Sequence, residues 1–503
     1  MKWLTKSNYL HFLIHPAYFW LEKHDKEKLP PFDDAAQAIM DAGNEIEEYA
    51  RERFPLGQLV PGGLFDQIDE STKLLKHAAA GETLFQAAVL TDQKWYARCD
   101  VVIKNNGGSW DIYEIKSATK VKPEHLHDVA FQKIALEECG HPVRNTYIVH
   151  ISSHYVRQGA VDSQKLFEQV DVTAAVDGLL HKTKRDIAAA QAMMALPECP
   201  SDSPALASNW YAWRDIYRHL HPEITDLSIY NLARLKPEQL SALAKLGISD
   251  MLSIPDSFAL GSQQKAQLQA LRAGEPIIHP VKIAAALAGL AYPLYFFDYE
   301  TVGPGIPAYD GTKPYQQVPF QYSLHILDKP GGKLRHTEFL ATGNANPMPA
   351  LLEQMQHDIG PIGSVIVWYK GFEMGVNDAM AAIYPEHAAF LHQVNTRVFD
   401  LMEIFSNFHY VDAAFGGSAS IKKVLPVVVP ELTYSDLAIQ KGDVASKLWE
   451  QTAQGKITGK QAEKIYADLR IYCGQDTLAM VRIYEFLMRI TKTAPGAQLS
   501  LLG

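Results

Sequence analysis

Cysteine is scarce in this chain of 503 residues. The four cysteines, Cys99, Cys139, Cys199 and Cys473, lie far apart and without paired spacing. An iron–sulfur centre needs several thiolates at close spacing, so we expect none. A framework of disulfides is equally unsupported, which favours a reducing cytoplasm over a secreted protein.

Long apolar runs are also missing. No stretch reaches the roughly 18 consecutive apolar residues of a membrane-spanning helix, and an N-terminus with His11, His15 and Glu22 is unlike a signal peptide. We therefore expect a soluble cytoplasmic protein with no membrane partner. The net charge of −10 argues against a nonspecific coat on nucleic acid, because phosphate binding relies on Lys and Arg. It still permits an enzyme whose acids are neutralised by metal.

The composition supports several folded domains, because 47% of the residues are hydrophobic and the length suggests about three domains. We place the boundaries at residues 1–175, 176–284 and 285–495. The middle region is Ala-rich and reads as helical. Residues 237–246 predict a helix, and Leu246-Gly247-Ile248 predicts a turn into a second one. Such a helix-hairpin-helix-like unit would hold a DNA phosphate, and a plain helical linker is the alternative.

The segment Pro293–Thr301 is apolar and aromatic but carries two carboxylates, Asp298 and Glu300. Residues two apart in a strand face the same side. The pair therefore offers hard oxygen ligands, suited to Mg²⁺ or Mn²⁺, at one place near the end of a strand. The alternative is a strand that ends at Asp298 and leaves Glu300 solvated in a turn.

Further acids follow downstream. A buried-looking strand, Ser364–Trp368, leads to Glu373, and Tyr472 and Asp476 lie four residues apart in an amphipathic pattern from about 464 to 490. That spacing places both side chains on one face of a helix. The chain thus carries, in this order, a predicted strand with two acids, a third acid, and a predicted helix with the pattern YxxxD.

This order resembles that of DnaQ-like proofreading exonucleases of the DEDD type, tyrosine subclass. The resemblance implies a ribonuclease H-like fold for residues 285–495 and 3′-to-5′ exonuclease activity. It also implies that Tyr472 orients the attacking water beside two metal ions. The implied metal ligands are Asp298, Glu300, Glu373 and Asp476.

Glu373 stands where that family usually has Asp. Asp378 and Asp400 are alternative ligands, and Asp400 could equally cap a helix. Nearby, a glycine-containing loop precedes a predicted helix start with Lys422 and Lys423. Helix N-termini bind phosphate, so both lysines are candidate nucleic-acid contacts, and an ordinary capped helix with solvated lysines is the alternative.

A second constellation lies nearer the N-terminus. The strand Trp95–Ile103 carries Asp100, and after an Asn-Asn-Gly-Gly turn the strand Trp110–Ser117 carries Glu114 and Lys116 on one face. Two acids and a lysine suit a metal-dependent phosphodiesterase site, where the acids bind Mg²⁺ and the lysine positions water or offsets charge. Exposed strands that simply alternate Glu and Lys are the alternative.

This pattern resembles the RecB-like branch of PD-(D/E)xK nucleases. The resemblance implies a restriction-endonuclease-like fold for residues 1–175 and makes Glu47 a candidate metal ligand in the place of a family His. It also makes Gln132 a DNA contact or a residue that orients Lys116, while a helix-surface amide is the alternative. This chain has His15-Pro16 where many relatives have Cys-Pro.

Together these features are similar to a largely uncharacterised bacterial family that fuses a RecB-like nuclease domain to a DnaQ-like domain. The resemblance implies an α/β multidomain nuclease that uses Mg²⁺ or Mn²⁺ and acts on nucleic acid, with DNA favoured over RNA. DNA repair or anti-phage defence, with a helicase or defence-system partner, is the implied setting. The rival hypothesis is a catalytically decayed nucleic-acid-binding or scaffold subunit.

Overall fold

The computed structural model describes residues 3–32 and 34–492. Within them the chain is an α/β protein with two large mixed sheets, as predicted. It divides into two compact units: unit 1 contains residues 3–32, 34–224 and 304–315, and unit 2 contains residues 225–303 and 316–492. None of the described helices is long and apolar enough to cross a membrane.

Unit 1 is built on a mixed sheet with the strand order β2-β3-β4-β5-β6-β7, in which β1 also pairs with β4. The strands are β1 (Leu4–Thr5), β2 (Gln58–Leu59), β3 (Thr83–Leu90), β4 (Trp95–Lys104), β5 (Trp110–Lys116), β6 (Val143–Ile151) and β7 (Phe167–Asp171). The helices are α1 (Lys6–Ile14), α2 (Pro16–His24), α3 (Asp34–Arg51), α4 (Leu64–His77), α5 (Pro123–Glu138), α6 (Ser163–Leu166), α7 (Thr173–Met194) and α8 (Trp210–Leu220).

The hairpin predicted in unit 1 is confirmed. Strands β4 and β5 pair antiparallel, with Val101 opposite Tyr113, and Gly107 and Gly108 adopt the positive φ angles that the turn requires. Helix α5 packs on this sheet through a buried apolar face that includes Phe131. The face fixes which residues of α5 point toward the strands.

Unit 2 contains a five-stranded mixed sheet, β11-β10-β9-β12-β13, and the antiparallel pair β14-β8. The strands are β8 (Ile277–Ile278), β9 (Leu294–Val302), β10 (Val318–Leu327), β11 (Leu334–Leu340), β12 (Ser364–Val367), β13 (Val398–Asp400) and β14 (Tyr410–Val411). The helices are α9 (Pro237–Lys245), α10 (Ser262–Ala273), α11 (Pro280–Leu287), α12 (Met348–Asp358), α13 (Lys370–Ile383), α14 (Pro385–Asn395), α15 (Glu403–Ser406), α16 (Ile421–Val428), α17 (Gly442–Ala453) and α18 (Gly459–Lys492).

Strand β9 is the central strand of the five-stranded sheet. It pairs antiparallel with β10 and parallel with β12, and its apolar residues, such as Phe296, are buried. A strand covered on both faces needs a nearly continuous apolar run, which explains why the carboxylates of β9 stand out. Helix α18 contacts β9 and β10. The strand predicted to carry Asp298 and Glu300 and the helix predicted to carry Tyr472 and Asp476 are both confirmed.

The middle region differs from the prediction in one element. Helix α9 forms as expected, and Gly247 after it adopts a positive φ of 70°. The second helix predicted after Ile248 is wrong, because only a short 3-10 turn follows and α10 begins at Ser262. Asp250 caps that turn through the Leu252 amide, 2.7 Å away, and Pro255 prevents its extension. No helical hairpin with a short turn forms in the described residues of this region.

Unit 1 includes one segment from between β9 and β10, residues 304–315. Arg157 Nη1 donates hydrogen bonds to the carbonyl oxygens of Pro307 and Ala308, at 2.7 and 2.9 Å. The Gly159 amide donates to Asp310 Oδ1 at 2.8 Å. These contacts attach the segment to the part of unit 1 that follows β6.

Candidate functional site

Three carboxylates of unit 2 form what we call the C-terminal acidic cluster: Asp298, Glu300 and Asp476. The first two lie on β9 and the third on α18. All three line a cavity of about 180 Å³, together with Tyr472 and Lys422. The structure therefore brings together residues predicted to form one site, although Asp298 and Asp476 are 178 positions apart in the sequence.

The cluster is electrostatically crowded. Burial, then repulsion from Asp476 and Glu300, raises the pKa of Asp298 well above its ordinary value. Burial followed by Asp476 has the same effect on the pKa of Glu300. Burial raises the pKa of Asp476 to about 6, although a hydrogen bond from Tyr434 and the charge of Lys422 oppose the shift. A cation would relieve this repulsion, as metal sites do.

The donor atoms suit a hard cation. One ligand atom each from Asp298, Glu300 and Cys473 lie within 4.8 Å of one another. Burial, and then the charges of the two acids, raises the pKa of the Cys473 thiol well above its ordinary value, so it stays protonated. The carboxylate oxygens are therefore the donors that fit Mg²⁺ or Mn²⁺.

Tyr472 lies one helical turn before Asp476. Its hydroxyl accepts a hydrogen bond from Lys422 Nζ at 3.1 Å, and Lys422 also donates to the Gln440 carbonyl at 2.8 Å. Lys422, predicted to contact nucleic acid, thus lies inside the cavity. Lys423, the next residue of α16, is exposed.

Glu373 lies in the first turn of α13 and is 2% exposed. Burial raises its pKa to about 8, and among the described residues no hydrogen-bond partner reaches its Oε2. Its charge contributes to the raised pKa of Asp298. Glu373 is therefore a buried acid with an unused oxygen, and its charge acts on Asp298, but it is not among the residues that line the cavity.

The two alternative acids have other contacts. Asp378 is exposed and accepts a 2.9 Å hydrogen bond from Asn395. The carboxylate of Asp400 accepts hydrogen bonds from the amides of Tyr369 at 3.0 Å and Lys370 at 2.9 Å, at the start of α13. Asp400 is therefore not the N-cap of the helix that follows it, where Met402 takes that position; it accepts at the start of α13 instead. Tyr369, at this cap, has a positive φ of 89°.

Three acids of unit 1 form what we call the N-terminal acidic cluster: Asp100, Glu114 and Asp128. Lys116 Nζ lies 2.7 Å from Glu114 Oε1, and Lys6 Nζ lies 2.8 Å from the same oxygen. Both ammonium groups also pair with Asp128. Burial alone would raise the pKa of Glu114, but the two lysines outweigh it and the pKa is lowered.

Gln132 lies inside this cluster, not on a helix surface. It is fully buried, and its Nε2 donates to Glu114 Oε2 at 2.7 Å and to Asp128 Oδ1 at 2.9 Å. An amide in this position orients the two carboxylates. The structure therefore gives Gln132 contacts to the acids that lie beside Lys116.

Asp100 and Glu47 are linked through Gln86. Asp100 Oδ2 accepts a hydrogen bond from the Ile115 amide at 2.9 Å, and Gln86 Nε2 donates to Glu47 and lies 3.4 Å from Asp100 Oδ1. Burial raises the pKa of Asp100, and the charge of Glu47 adds to this rise. Glu47 also pairs with Arg51. The oxygen donors would fit Mg²⁺ or Mn²⁺, but an ion at Glu114 would have to replace an ammonium group.

Sequence reasoning missed Lys6, Asp128 and Tyr434. Asp128 lies four residues before Gln132, and this helical spacing could have indicated it. Lys6 and Tyr434 contact acids 108 and 42 residues away, which no local pattern indicates. His15, which precedes Pro16, caps α2, because its Nδ1 accepts from the Ala17 amide at 3.0 Å.

Comparison with known proteins gives a partial match. Residues 295–420 match a family described as a domain of unknown function, DUF2779; this region contains Asp298, Glu300 and Glu373. The uncharacterized protein MG366 of Mycoplasma genitalium is 26% identical over 217 residues, which cover 39% of this chain and 32% of that protein.

Two further relatives have similar values. The MG366 homolog of Mycoplasma pneumoniae is 27% identical over 213 residues, 38% of this chain and 32% of that protein. The uncharacterized protein UU173 of Ureaplasma parvum is 26% identical over 220 residues, 40% of this chain and 32% of that protein. The chain thus spans about a third of the length of the curated relatives it matches.

Proposed function

We propose that this protein is a metal-dependent nuclease that removes nucleotides from 3′ ends at the C-terminal acidic cluster. The observation that carries the proposal is the crowding of Asp298, Glu300 and Asp476 around one cavity beside Tyr472. The position of two acids on the central strand β9 and of the third on α18 is in keeping with a ribonuclease H-like fold. Glu373 would complete the ligand set.

In this reaction water replaces the 3′ oxygen on the phosphorus atom. Bound Mg²⁺ or Mn²⁺ would activate that water and stabilise the leaving oxygen. The carboxylates of Asp298, Glu300 and Asp476 would hold the ions. The Tyr472 hydroxyl would hold the water in line for attack, and Lys422 would offset negative charge on the phosphate. No covalent intermediate with the protein forms.

We assign a second, RecB-like nuclease site to unit 1, with Asp100 and Glu114 as ligands, Glu47 as an outer ligand, and Lys116 as the charge-offsetting residue. DNA is the favoured substrate over RNA, and a helicase or defence-system partner would place the enzyme in repair or anti-phage defence. One observation favours a decayed site in unit 1: Lys6 and Lys116 already neutralise Glu114.

A nuclease assay on labelled single- and double-stranded DNA and RNA, with either end blocked, tests the proposal. We expect wild-type protein with Mn²⁺ to shorten substrates that have a free 3′ end, and Asp298→Ala to abolish this activity because it removes a shared ligand. Asp328→Ala is the matched control, since Asp328 is an exposed acid of unit 2 that pairs with Arg335. Equal 3′ trimming by Asp298→Ala and wild type would disprove the assignment.

Lys116→Ala separates the two sites. It should preserve 3′ trimming and remove whatever cleavage survives in Asp298→Ala, because effects at independent sites add. Loss of 3′ trimming in Lys116→Ala alone would mean that both units act on one substrate path. Calorimetric titration with Mn²⁺ addresses the decayed alternative, which predicts no binding that depends on Asp100 or Glu114.

A further inference from the structure

Two tyrosines approach the C-terminal acidic cluster from different parts of unit 2. Tyr472 lies on α18, and Tyr434 lies in the loop between α16 and α17. The Tyr434 hydroxyl donates a 2.5 Å hydrogen bond to Asp476 Oδ1, whereas the Tyr472 hydroxyl accepts from Lys422 Nζ. The two phenols therefore have different partners and are not interchangeable.

The loop that carries Tyr434 is fixed to α18 beside Asp476. Gln475 Nε2 donates to the Thr433 carbonyl at 2.6 Å. Thr433 therefore contacts Gln475, and the next residue, Tyr434, contacts Asp476. Tyr434 and Asp476 are each 8% exposed. The phenol therefore satisfies an acceptor of a buried residue that would otherwise be costly to bury.

Lys422 lies near the rings of both tyrosines and donates a hydrogen bond to the hydroxyl of Tyr472. Its Nζ lies 5.5 Å from the ring centroid of Tyr434 and 5.3 Å from that of Tyr472. An ammonium group can only donate, so its hydrogen bond uses a lone pair of the Tyr472 hydroxyl. The hydrogen of that hydroxyl is then left for another acceptor, such as a water molecule in the cavity.

We propose that Tyr434 is a positioning residue for Asp476 and holds its carboxylate in the orientation that binds metal. Tyr472, which does not have this role, is then available to orient the attacking water. The inference rests on the proposed function in one respect, that Asp476 is a metal ligand. Partners that hydrogen-bond a ligating carboxylate orient it, and their loss weakens metal binding by about 10- to 100-fold.

Tyr434→Phe tests this role, because it removes only the hydroxyl. Full-length protein is titrated with Mn²⁺ by calorimetry, and the binding lost in Asp298→Ala is taken as that of the C-terminal acidic cluster. We expect this binding to weaken by about tenfold or more in Tyr434→Phe, and 3′ trimming to recover at excess Mn²⁺. Tyr472→Phe should keep wild-type Mn²⁺ affinity and stay slow at excess Mn²⁺.

Tyr292→Phe is the matched control. The hydroxyl of Tyr292 pairs with that of Tyr484 at 2.9 Å, within the same unit, so this variant should bind Mn²⁺ as wild type does. If Tyr434→Phe does not fold, Gln475→Leu takes its place, because it loosens the loop without altering either phenol. We expect a smaller loss of Mn²⁺ affinity for Gln475→Leu, in the same direction.

Wild-type Mn²⁺ affinity in the folded Tyr434→Phe variant would overturn the inference, as would slow trimming that excess Mn²⁺ does not restore. Failure of the proposed function is distinguishable. If Asp298-dependent Mn²⁺ binding exists but no nucleic acid is cut, the proposed function fails, and the Mn²⁺ affinity of Tyr434→Phe still decides the inference. If wild type shows no such binding, both fail.

Discussion

Glu373 is the acid whose role a single isosteric change can define. Its pKa of about 8 means that the metal-free protein holds it mostly protonated at pH 7, a state that Glu373→Gln imitates. We expect the free energy of unfolding of the metal-free variant to stay within about 0.5 kcal/mol of wild type. Binding of Mn²⁺ should weaken, because an amide carries no negative charge. Urea unfolding and calorimetry at pH 7 measure the two effects, and unchanged Mn²⁺ binding would exclude Glu373 as a ligand.

Lys6 is bound to two buried acids, Glu114 and Asp128. Lys6→Ala leaves these carboxylates with one ammonium group fewer, and breaking a buried ion pair costs about 3–5 kcal/mol. Lys116 and Gln132 still contact both acids, so we expect a loss nearer 2–3 kcal/mol in urea unfolding. Lys165→Ala, at an exposed pair with Asp162, should change the stability by less than about 1 kcal/mol.

The same residues show how far sequence reasoning could reach. Alternation in β5 correctly placed Glu114 and Lys116 on one face, since a strand repeats every two residues. Helical spacing likewise placed Tyr472 and Asp476 together. The contacts of Lys6 and Tyr434 depend on how distant segments pack. That packing follows from the whole core and has no signal in a short stretch of sequence.

Helix α13 depends on a residue from the neighbouring strand for its first turn. Asp400, at the end of β13, accepts from the amides of Tyr369 and Lys370. Losing a helix cap costs about 0.5–2 kcal/mol, so we expect Asp400→Ala to lower the stability by this amount and to leave Mn²⁺ affinity nearly unchanged. Asp412→Ala, which removes the cap of only a short 3-10 turn, should cost less. A large loss of Mn²⁺ affinity in Asp400→Ala would make Asp400 part of the metal site.

At the scale of elements, long and strongly patterned segments were predicted best. Strand β9 is buried along nearly its whole length, and α18 has an apolar face that spans many turns. The second helix predicted in the middle region does not form, because the Asp250 side chain caps a short 3-10 turn there and Pro255 prevents its extension. Such local competition outweighs a weak apolar pattern.

For the whole molecule, the C-terminal acidic cluster makes stability depend on pH. The folded-state pKa values of Asp298, Glu300 and Asp476 are raised. Stability is therefore fully present below the unfolded values and is lost as pH rises through the folded ones. The contribution of Asp476, whose pKa is about 6, is lost mostly below pH 6.5, whereas Glu373, whose pKa is about 8, still titrates above it. We expect Glu373 to cost the metal-free protein about 1–2 kcal/mol between pH 6.5 and 8, with the raised pKa values of Asp298 and Glu300 acting in the same direction. Burial lowers the pKa of His325 to about 4. Between about pH 4 and 6.5 this histidine therefore makes the protein more stable as the pH rises, which opposes the effect of the acids.

Thermal unfolding of metal-free protein at several pH values measures this dependence. Asp298→Asn should flatten it, because the variant removes one ionisable group and the repulsion that it causes. Saturating Mn²⁺ should also flatten it, since a bound cation favours the ionised carboxylates. A metal-free protein that becomes more stable from pH 6.5 to 8 would contradict the raised pKa values.

The segment 304–315 affects how the protein can be divided into stable fragments. A truncated fragment that stops at Ile224 lacks Pro307, Ala308 and Asp310, to which Arg157 and Gly159 donate hydrogen bonds. We expect such a fragment to be digested by protease faster than the same residues in the intact chain, and a synthetic peptide of residues 304–315 to slow its digestion. Recombination between genes would meet the same obstacle, because one crossover cannot exchange unit 1 as a whole.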